Sequence, residues 1–412
     1  MNDSTATTMR SRPVTGLTER LPGPEPQTTA QSTTQVSGET STIAHLLQMA
    51  PRGLALAVDP AGGALVQTVR GIRGPDGIEV TREGRSLRYA AITALGLARL
   101  DPAVQREVLG GRTAAELAVD CAVQARPDHD LGAVALACWA RAEAAEEYDP
   151  GLVARLLTAL GSGQPHATVT VGWAMTAAVA AARVTDDRRI TQRVIQQARR
   201  RLVAEQGPTG LYPHQLPGVP GRRARGLRAH VGSFADQVYP LQALARAAGL
   251  TGDESLLAAA ERTAARLVAL QGRAGQWWWH YDARDGTVVE RYPVYSVHQH
   301  GMAPMVLHDL AAAGGTDHGA AIEAGVAWLE RHPETVEEMM SDRFGLVWRK
   351  VGRREPRKAA RGLGALATAV RPGTAVPGLD KLLPAGVVDH ECRPYELAWL
   401  LYAWAAPEEE KR

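Results

Sequence analysis

Apolar residues recur at helical spacing almost without interruption from about residue 41 to residue 406. The spacing predicts helices over 41–49, 86–100, 113–124, 131–147, 151–160, 168–183, 188–205, 233–248, 254–270, 296–313, 318–331, 334–341, 357–369 and 391–406. Most are of ordinary globular length, and the separators are mainly short Gly, Pro or Asp turns. Residues 53–81 break the pattern with short apolar runs among Gly, Pro and Asp-Gly, so a loop with some hairpin is expected. A second hairpin is expected near 278–292, where Asp285-Gly286 separates two strand-like runs. Residues 1–40, rich in Ser, Thr, Pro and Gln, read as a disordered tail ahead of one helical domain over 41–406.

Two separators share a pattern. Gln206, Gly210 and Tyr212 spell Q-x-x-x-G-x-aromatic, and Gln271, Gly275 and Trp277 spell it again after the next helix pair. A partial echo, Phe344-Gly345-Leu346-Val347-Trp348, follows without the glutamine. Such recurrence marks an internal repeat. The glutamine can satisfy backbone groups at a helix end, the glycine turns the chain, and the aromatic packs back on the helix pair.

The Q-x-x-x-G-x-W turn resembles the core repeat of terpenoid cyclases and protein prenyltransferase β-subunits. Arg262, Leu267, Gln271, Gly275 and Trp277 match that repeat, while Thr263 and Arg266 depart from it. The resemblance covers two or three turns and implies an all-α fold, an α/α toroid of about six helical pairs. Toroids of this kind also serve sugar epimerases, polysaccharide lyases and glycosidases. They place their pocket at one end of a central funnel, lined by the N-termini of the inner helices.

Composition narrows the partners. The net charge of the 412 residues is only +2, which argues against a nucleic-acid partner. No run of 18 apolar residues marks a membrane span. With no secretory signal either, a cytoplasmic protein is expected. Cys121, Cys138 and Cys392 have neither metal-ligand nor disulfide-framework spacing, so no metal site is expected. Only two Phe stand against nine Trp and nine Tyr, aromatics that carry a polar handle.

Three segments suit the mouth of such a funnel. In the first, Ser233 is an N-cap that places Asp236 and Gln237 in the opening turn, with Tyr239 just beyond. Asp236 reads either as an acid catalyst or as the partner in a capping box. The second runs from Trp277, Trp278, Trp279, His280 and Tyr281 through Arg291, Tyr292 and Tyr295 to His298, Gln299 and His300. His298 and His300 lie about 200° apart on a helix, so they do not converge on one metal. His298 is expected to face inward, as a base or as a hydrogen-bonded core residue. The third holds Arg393, Tyr395 and Glu396, where the acid is either catalytic or an ion-pair partner. His214 and the arginines at 222, 223, 225 and 228 sit in a long Pro/Gly loop that reads as a lid or as a solvated basic loop.

The expected catalytic residues are therefore Asp236, Tyr295, His298 and Glu396. The expected substrate contacts are His214, Gln237, Tyr239, Trp277, Trp278, Trp279, His280, Tyr281, Arg291, Tyr292, Gln299, Arg393 and Tyr395. The resemblance favours a terpenoid-cyclase-like enzyme, with one strong acid above an aromatic-lined cavity and an isoprenoid substrate. No cofactor is implied, except magnesium for a diphosphate substrate. Against that reading, the D-x-D-D and D-D-x-x-D motifs of such enzymes are absent, as is the prenyltransferase zinc set. The first alternative is a carbohydrate-active toroid, in which Trp and Tyr stack on sugar faces and charged groups hold hydroxyls or a uronate. The second is a non-catalytic helical-repeat binding module. Charged pocket walls would place the carbohydrate reading ahead of the isoprenoid one.

Overall fold

The computed structural model describes residues 41–75, 77–219, 226–356 and 359–405. The expected tail and the arginines at 222, 223 and 225 lie outside these residues. In chain order the helices are α1 (Thr42–Leu56), α2 (Leu87–Leu97), α3 (Pro102–Val108), α4 (Ala114–Ala125) and α5 (Leu131–Ala144). Next come α6 (Pro150–Gly161), α7 (Thr168–Arg183), α8 (Arg189–Glu205), α9 (Phe234–Thr251) and α10 (Glu254–Ala269). The last are α11 (Ala303–Ala312), α12 (Gly319–Arg331), α13 (Ala359–Val370), α14 (Leu379–Leu382) and α15 (Pro394–Trp404).

Packing sorts twelve of these into two rings. Helices α2, α5, α7, α9, α11 and α15 each touch the next, and α15 returns to α2, closing the inner ring. Helices α4, α6, α8, α10 and α12 cover it from outside, and α1 fills the last outer place against α15. The ends of the chain thus meet to complete the sixth pair. This is the expected α/α toroid.

Sequence explains which helix goes where. Helix α7, TVTVGWAMTAAVAAAR, is apolar on every side and nearly all buried. Its outer partner α8, RITQRVIQQARRRLVAE, buries one stripe and leaves a basic face in water. Helix α11 is preceded by a π-helical turn over His298–Met302. Pro304 has no N–H to offer the preceding turn, which favours the wider winding there.

Short antiparallel strands gather where the inner helices begin. The hairpin Val66–Gly74/Gly77–Arg85 leads into α2, and its first strand also pairs with Glu391–Cys392 ahead of α15. Val231–Ser233, ahead of α9, pairs with His280–Asp282, which pairs in turn with Val288–Glu290. Both expected hairpins are therefore present, the second over 280–290. Residues 334–341 do not form the expected helix. The Glu334 carboxylate instead accepts the Trp328 indole N–H at 3.0 Å and the Gln276 amide at 2.8 Å. The chain then runs on to pair Met340–Ser341 with Leu346–Val347. Helices α3 and α14 are additional to the sequence expectation.

Candidate active site at the inner-helix N-termini

The turn repeat is a physical clamp. Gln206 Nε2 donates to the carbonyl of Gly210 at 3.2 Å and to that of Ala259, on the next outer helix, at 2.8 Å. Gln271 Nε2 does the same to Gly275 at 3.0 Å and to Ala321 at 2.9 Å. Gly210 and Gly275 both have φ of +93°. The aromatics that follow, Tyr212 and Trp277, are buried. Their backbone N–H groups donate to Gln237 Oε1 at 2.7 Å and Gln299 Oε1 at 3.3 Å. Gln237 and Gln299 are themselves fully buried. Their amide N–H groups go to the carbonyls of Tyr212 and Ser233 and to that of Tyr295. Both of these expected substrate contacts are thus spent holding the turns against the inner helices.

Asp236 closes a capping box. Its Oδ2 accepts from the Ser233 N–H and Oγ, each at 2.7 Å, and from His214 Nδ1 at 3.1 Å. Asp236 is fully buried, whereas the His214 side chain is 52% exposed. The acid therefore reaches the surface only through the ring that it orients.

The aromatic segment divides. Trp277, Tyr281 and His298 are buried. His298 lies against Phe234, with ring centroids 4.3 Å apart, and against Tyr295 at 5.0 Å. Burial lowers its pKa to about 3, so at neutral pH the ring is uncharged and too weak to act as a base. His280 is likewise buried and its pKa falls well below the usual range. Trp278 and Tyr292 form a rim on the hairpin, where Arg291 lies over Trp278 and Arg353 over Tyr292. Trp279 faces Tyr295 at 4.7 Å.

The N-terminal turns of α2, α5 and α15 carry the densest polar group. Arg88 Nε donates to Asp130 Oδ2 at 2.6 Å, and its guanidinium stands 5.4 Å from the Trp173 ring. Arg393 Nη1 donates to the Tyr89 hydroxyl at 2.7 Å, and the Tyr89 and Tyr395 rings are 4.6 Å apart. Arg349 Nε donates to Glu396 Oε1 at 3.1 Å and lies over Tyr295 at 5.1 Å. Glu396 Oε2 accepts the Arg393 N–H at 3.1 Å.

These environments push the acids apart. Burial raises the carboxyl of Glu396 above its usual range, although Arg349 and Arg393 oppose it. Burial also works against Asp130, but the Arg88 bonds and charge and the N–H groups of Gly132 and Ala133 more than offset it. Asp130, with its side chain 40% exposed, is accordingly an ionised, accessible carboxylate, whereas Glu396 is fully buried and positions Arg349. Burial alone disfavours the Arg349 charge, but Tyr395, Glu396 and Tyr295 outweigh it and hold the guanidinium charged.

Arg88, Tyr89, Asp130 and Arg349 are not among the residues expected from the sequence. The usable signal is Ser86 and Asp130 as N-caps, which put Arg88 and Tyr89 in the first turn of an inner helix and Asp130 at the start of the next. Nothing local marks Arg349, on the strand side of the mouth. Among the described residues no cluster of His, Cys, Asp and Glu is placed to hold a metal, and no helix is long and apolar enough to cross a membrane. Burial raises the thiols of Cys121 and Cys138 to about 12, so neither is a ready nucleophile.

Below the mouth the bore is filled. Trp173 meets Tyr239 at 5.0 Å, Tyr239 meets Trp399 at 6.3 Å, and Trp399 meets Trp139 at 5.4 Å. Trp139 in turn meets Tyr402 edge-on at 5.7 Å. Tyr239, an expected substrate contact, is thus a buried link in this column, with only 3% of its surface exposed.

No family model matches the chain, and no curated protein does. Solved structures do. An unsaturated glucuronyl hydrolase specific for heparin is 13% identical, with a TM-score of 0.54 over 90% of this chain and 98% of its own. A possible member of the GH105 family from Salmonella enterica is 10% identical, with a TM-score of 0.54 over 90% and 95% of the two chains. A glycosyl hydrolase family 88 protein from Bacteroides vulgatus is 11% identical, with a TM-score of 0.54 over 88% and 98%. At such low identity the likeness is one of fold, and the fold it shows along the length of the chain is the α/α toroid.

Proposed function

We propose that this protein is a carbohydrate-active enzyme that hydrolyses an oligosaccharide carrying a uronic acid. The observation that carries the reading is the accessible Asp130 carboxylate held by Arg88 at the inner-helix mouth, with Arg393, Tyr89 and Tyr395 clustered on the neighbouring helix starts and Arg349 stacked on Tyr295. Tyrosine faces suit sugar rings, and guanidinium groups suit a carboxylate. In this reading Asp130 is the general base toward water. His214, its ring fixed by Asp236 as a carboxylate fixes the histidine of a hydrolase triad, delivers the proton to the leaving oxygen. Glu396 positions Arg349, while Tyr295, Arg393 and Tyr395 contact the sugar. The neighbouring structures with glucuronyl hydrolase and glycosyl hydrolase names support the carbohydrate class.

The isoprenoid reading has no comparable support. Charge lines the mouth, and a packed aromatic column occupies the bore where a dry cyclisation cavity would lie. The test is a mass-spectrometric screen of the purified protein. One arm offers oligosaccharides ending in saturated or unsaturated uronic acids, and the other offers prenyl diphosphates with and without magnesium. Turnover confined to the first arm and lost in Asp130→Asn supports the assignment. A new hydrocarbon in the second arm, with sugars untouched, overturns it.

A further inference from the structure

The opposite end of the toroid, where the inner helices finish, holds a cavity of about 580 Å³. Its floor is a closed polar triangle. The Tyr402 hydroxyl donates to Glu143 Oε2 at 2.6 Å and accepts from Arg246 Nη1 at 2.8 Å, while Arg246 also pairs with Glu143. The charge of Arg246 is therefore spent within the protein. The cavity walls are different. Arg99 stands over the Tyr402 ring at 4.4 Å, and Arg183 reaches in from the end of α7. Among the described residues neither is within salt-bridge or hydrogen-bond distance of an acid, although Arg99 is close enough to Glu143 and Asp309 to act on both carboxyls. Glu146 is the other charged group of the lining.

Basic residues at helix C-termini often do no more than offset the negative helix end. In that role they donate to the last carbonyls. Arg99 and Arg183 do not. Across from them stands Asp309, whose carboxyl burial pushes above its ordinary value. Asp309 accepts one hydrogen bond, from Gln242 at 2.8 Å, and the fully buried Gln242 keeps its Oε1 without a partner. Two guanidinium groups with no acid in hydrogen-bond contact thus share the cavity with a carboxyl that holds its proton more readily than a free one.

We propose that this mouth is a second small-molecule site, for a polyhydroxylated anion whose carboxylate or phosphate lies between Arg99 and Arg183 and whose hydroxyls meet Asp309. The site is separated from the Asp130 mouth by the Trp173–Tyr239–Trp399–Trp139–Tyr402 column, so it stands independently of the hydrolase reading.

Isothermal titration of the full chain with glucuronate, glucose 6-phosphate and glucose tests it. Saturable binding of at least one anion, with glucose silent, is expected. The better of the two identifies the head group as carboxylate or phosphate. Arg183 is exposed at the helix end, so Arg183→Ala is not expected to disturb the fold. It should weaken binding about tenfold or more. Arg99→Ala should do the same. Every titration is run in the Arg88→Ala background, which weakens glucuronate binding at the other mouth, and the second-site binding should remain there. Absence of saturable binding overturns the proposal. So does binding that survives Arg183→Ala in that background.

Discussion

The Trp399 indole donates its N–H to the Tyr239 hydroxyl at 2.9 Å, on the axis of the toroid and midway along its aromatic column. Both rings are buried. A funnel open from end to end would leave these groups to water. Here they pair with each other, and the bore becomes core.

That pairing fixes the first prediction. Tyr239→Phe keeps the ring and removes the acceptor, stranding a buried donor. A loss of about 1–3 kcal/mol is expected. Trp399→Ala removes the ring itself and opens a void, at a cost of about 3–5 kcal/mol. Chemical denaturation followed by tryptophan fluorescence and circular dichroism gives both numbers. Equal, small effects would mean that the column is loosely packed.

The repeat turns make a sharper prediction. A Cβ built on Gly275 would lie 1.8 Å from the Ala324 carbonyl oxygen, and the residue sits at φ of +93°. Space and backbone conformation both exclude a side chain. Gly275→Ala should leave little folded protein, seen as loss of soluble expression. Gln271→Ala keeps the turn but removes the two hydrogen bonds to the carbonyls of Gly275 and Ala321 and should cost about 1–3 kcal/mol. A fully stable Gly275→Ala would show that this turn is not seated on α12 as described.

The same turns are the most legible part of the chain. Gln271, Gly275 and Trp277 point to the toroid because one glutamine, one glycine and one aromatic do a local job that recurs at fixed spacing. Helical periodicity supplies the pairs. The mouth is harder to read. Asp236 and Gln299 look chemical because the inner-helix starts line the mouth of a toroid, yet helix starts and repeat turns consume polar groups of their own. Arg88 and Asp130 are 42 positions apart and meet because α2 and α5 are neighbouring inner helices. Arg349 and Glu396 meet because the strand Lys350–Arg353 pairs with Ala385–Asp389 just ahead of α15. Spacing along one helix carries no signal of such pairs. Residues 334–341 depart from the expected helix for the same reason, since the partners of Glu334 are Trp328 and Gln276.

The Arg88–Asp130 pair makes the proposed chemistry measurable. Arg88 is the main group holding the Asp130 carboxylate ionised below its ordinary range. Removing it lets the pKa rise, so Arg88→Ala should move the acidic limb of the kcat/KM profile to higher pH. Asp130→Asn should lower kcat by about a hundredfold or more without changing the circular dichroism spectrum. In the folded protein the depressed pKa also means that the pair stabilises above the unfolded value, near 3.9. That contribution disappears as pH falls through the lower folded value. An acidic limb that does not move in Arg88→Ala would remove Asp130 as the titrating base.

His300 supplies the last prediction, and its direction is unusual for a buried polar residue. Both ring nitrogens lack a partner, and burial brings the pKa to about 3. His298 reaches the same value with Nδ1 unpartnered. An unfolded histidine takes its proton near pH 6.5, while these two refuse it until about pH 3. Between those limits the unfolded chain binds more protons. Stability is therefore fully present above pH 6.5 and falls as the pH drops toward 3, by up to about 1.4 kcal/mol per unit for each ring. His300→Leu removes one titration together with two unsatisfied buried nitrogens. Its stability at pH 7 should be equal to or above that of the parent chain, and its loss between pH 7 and pH 5 should be smaller. Urea denaturation at the two pH values decides the matter. A variant that is clearly less stable at pH 7, or whose pH slope is unchanged, would show that the His300 ring has a polar partner in solution.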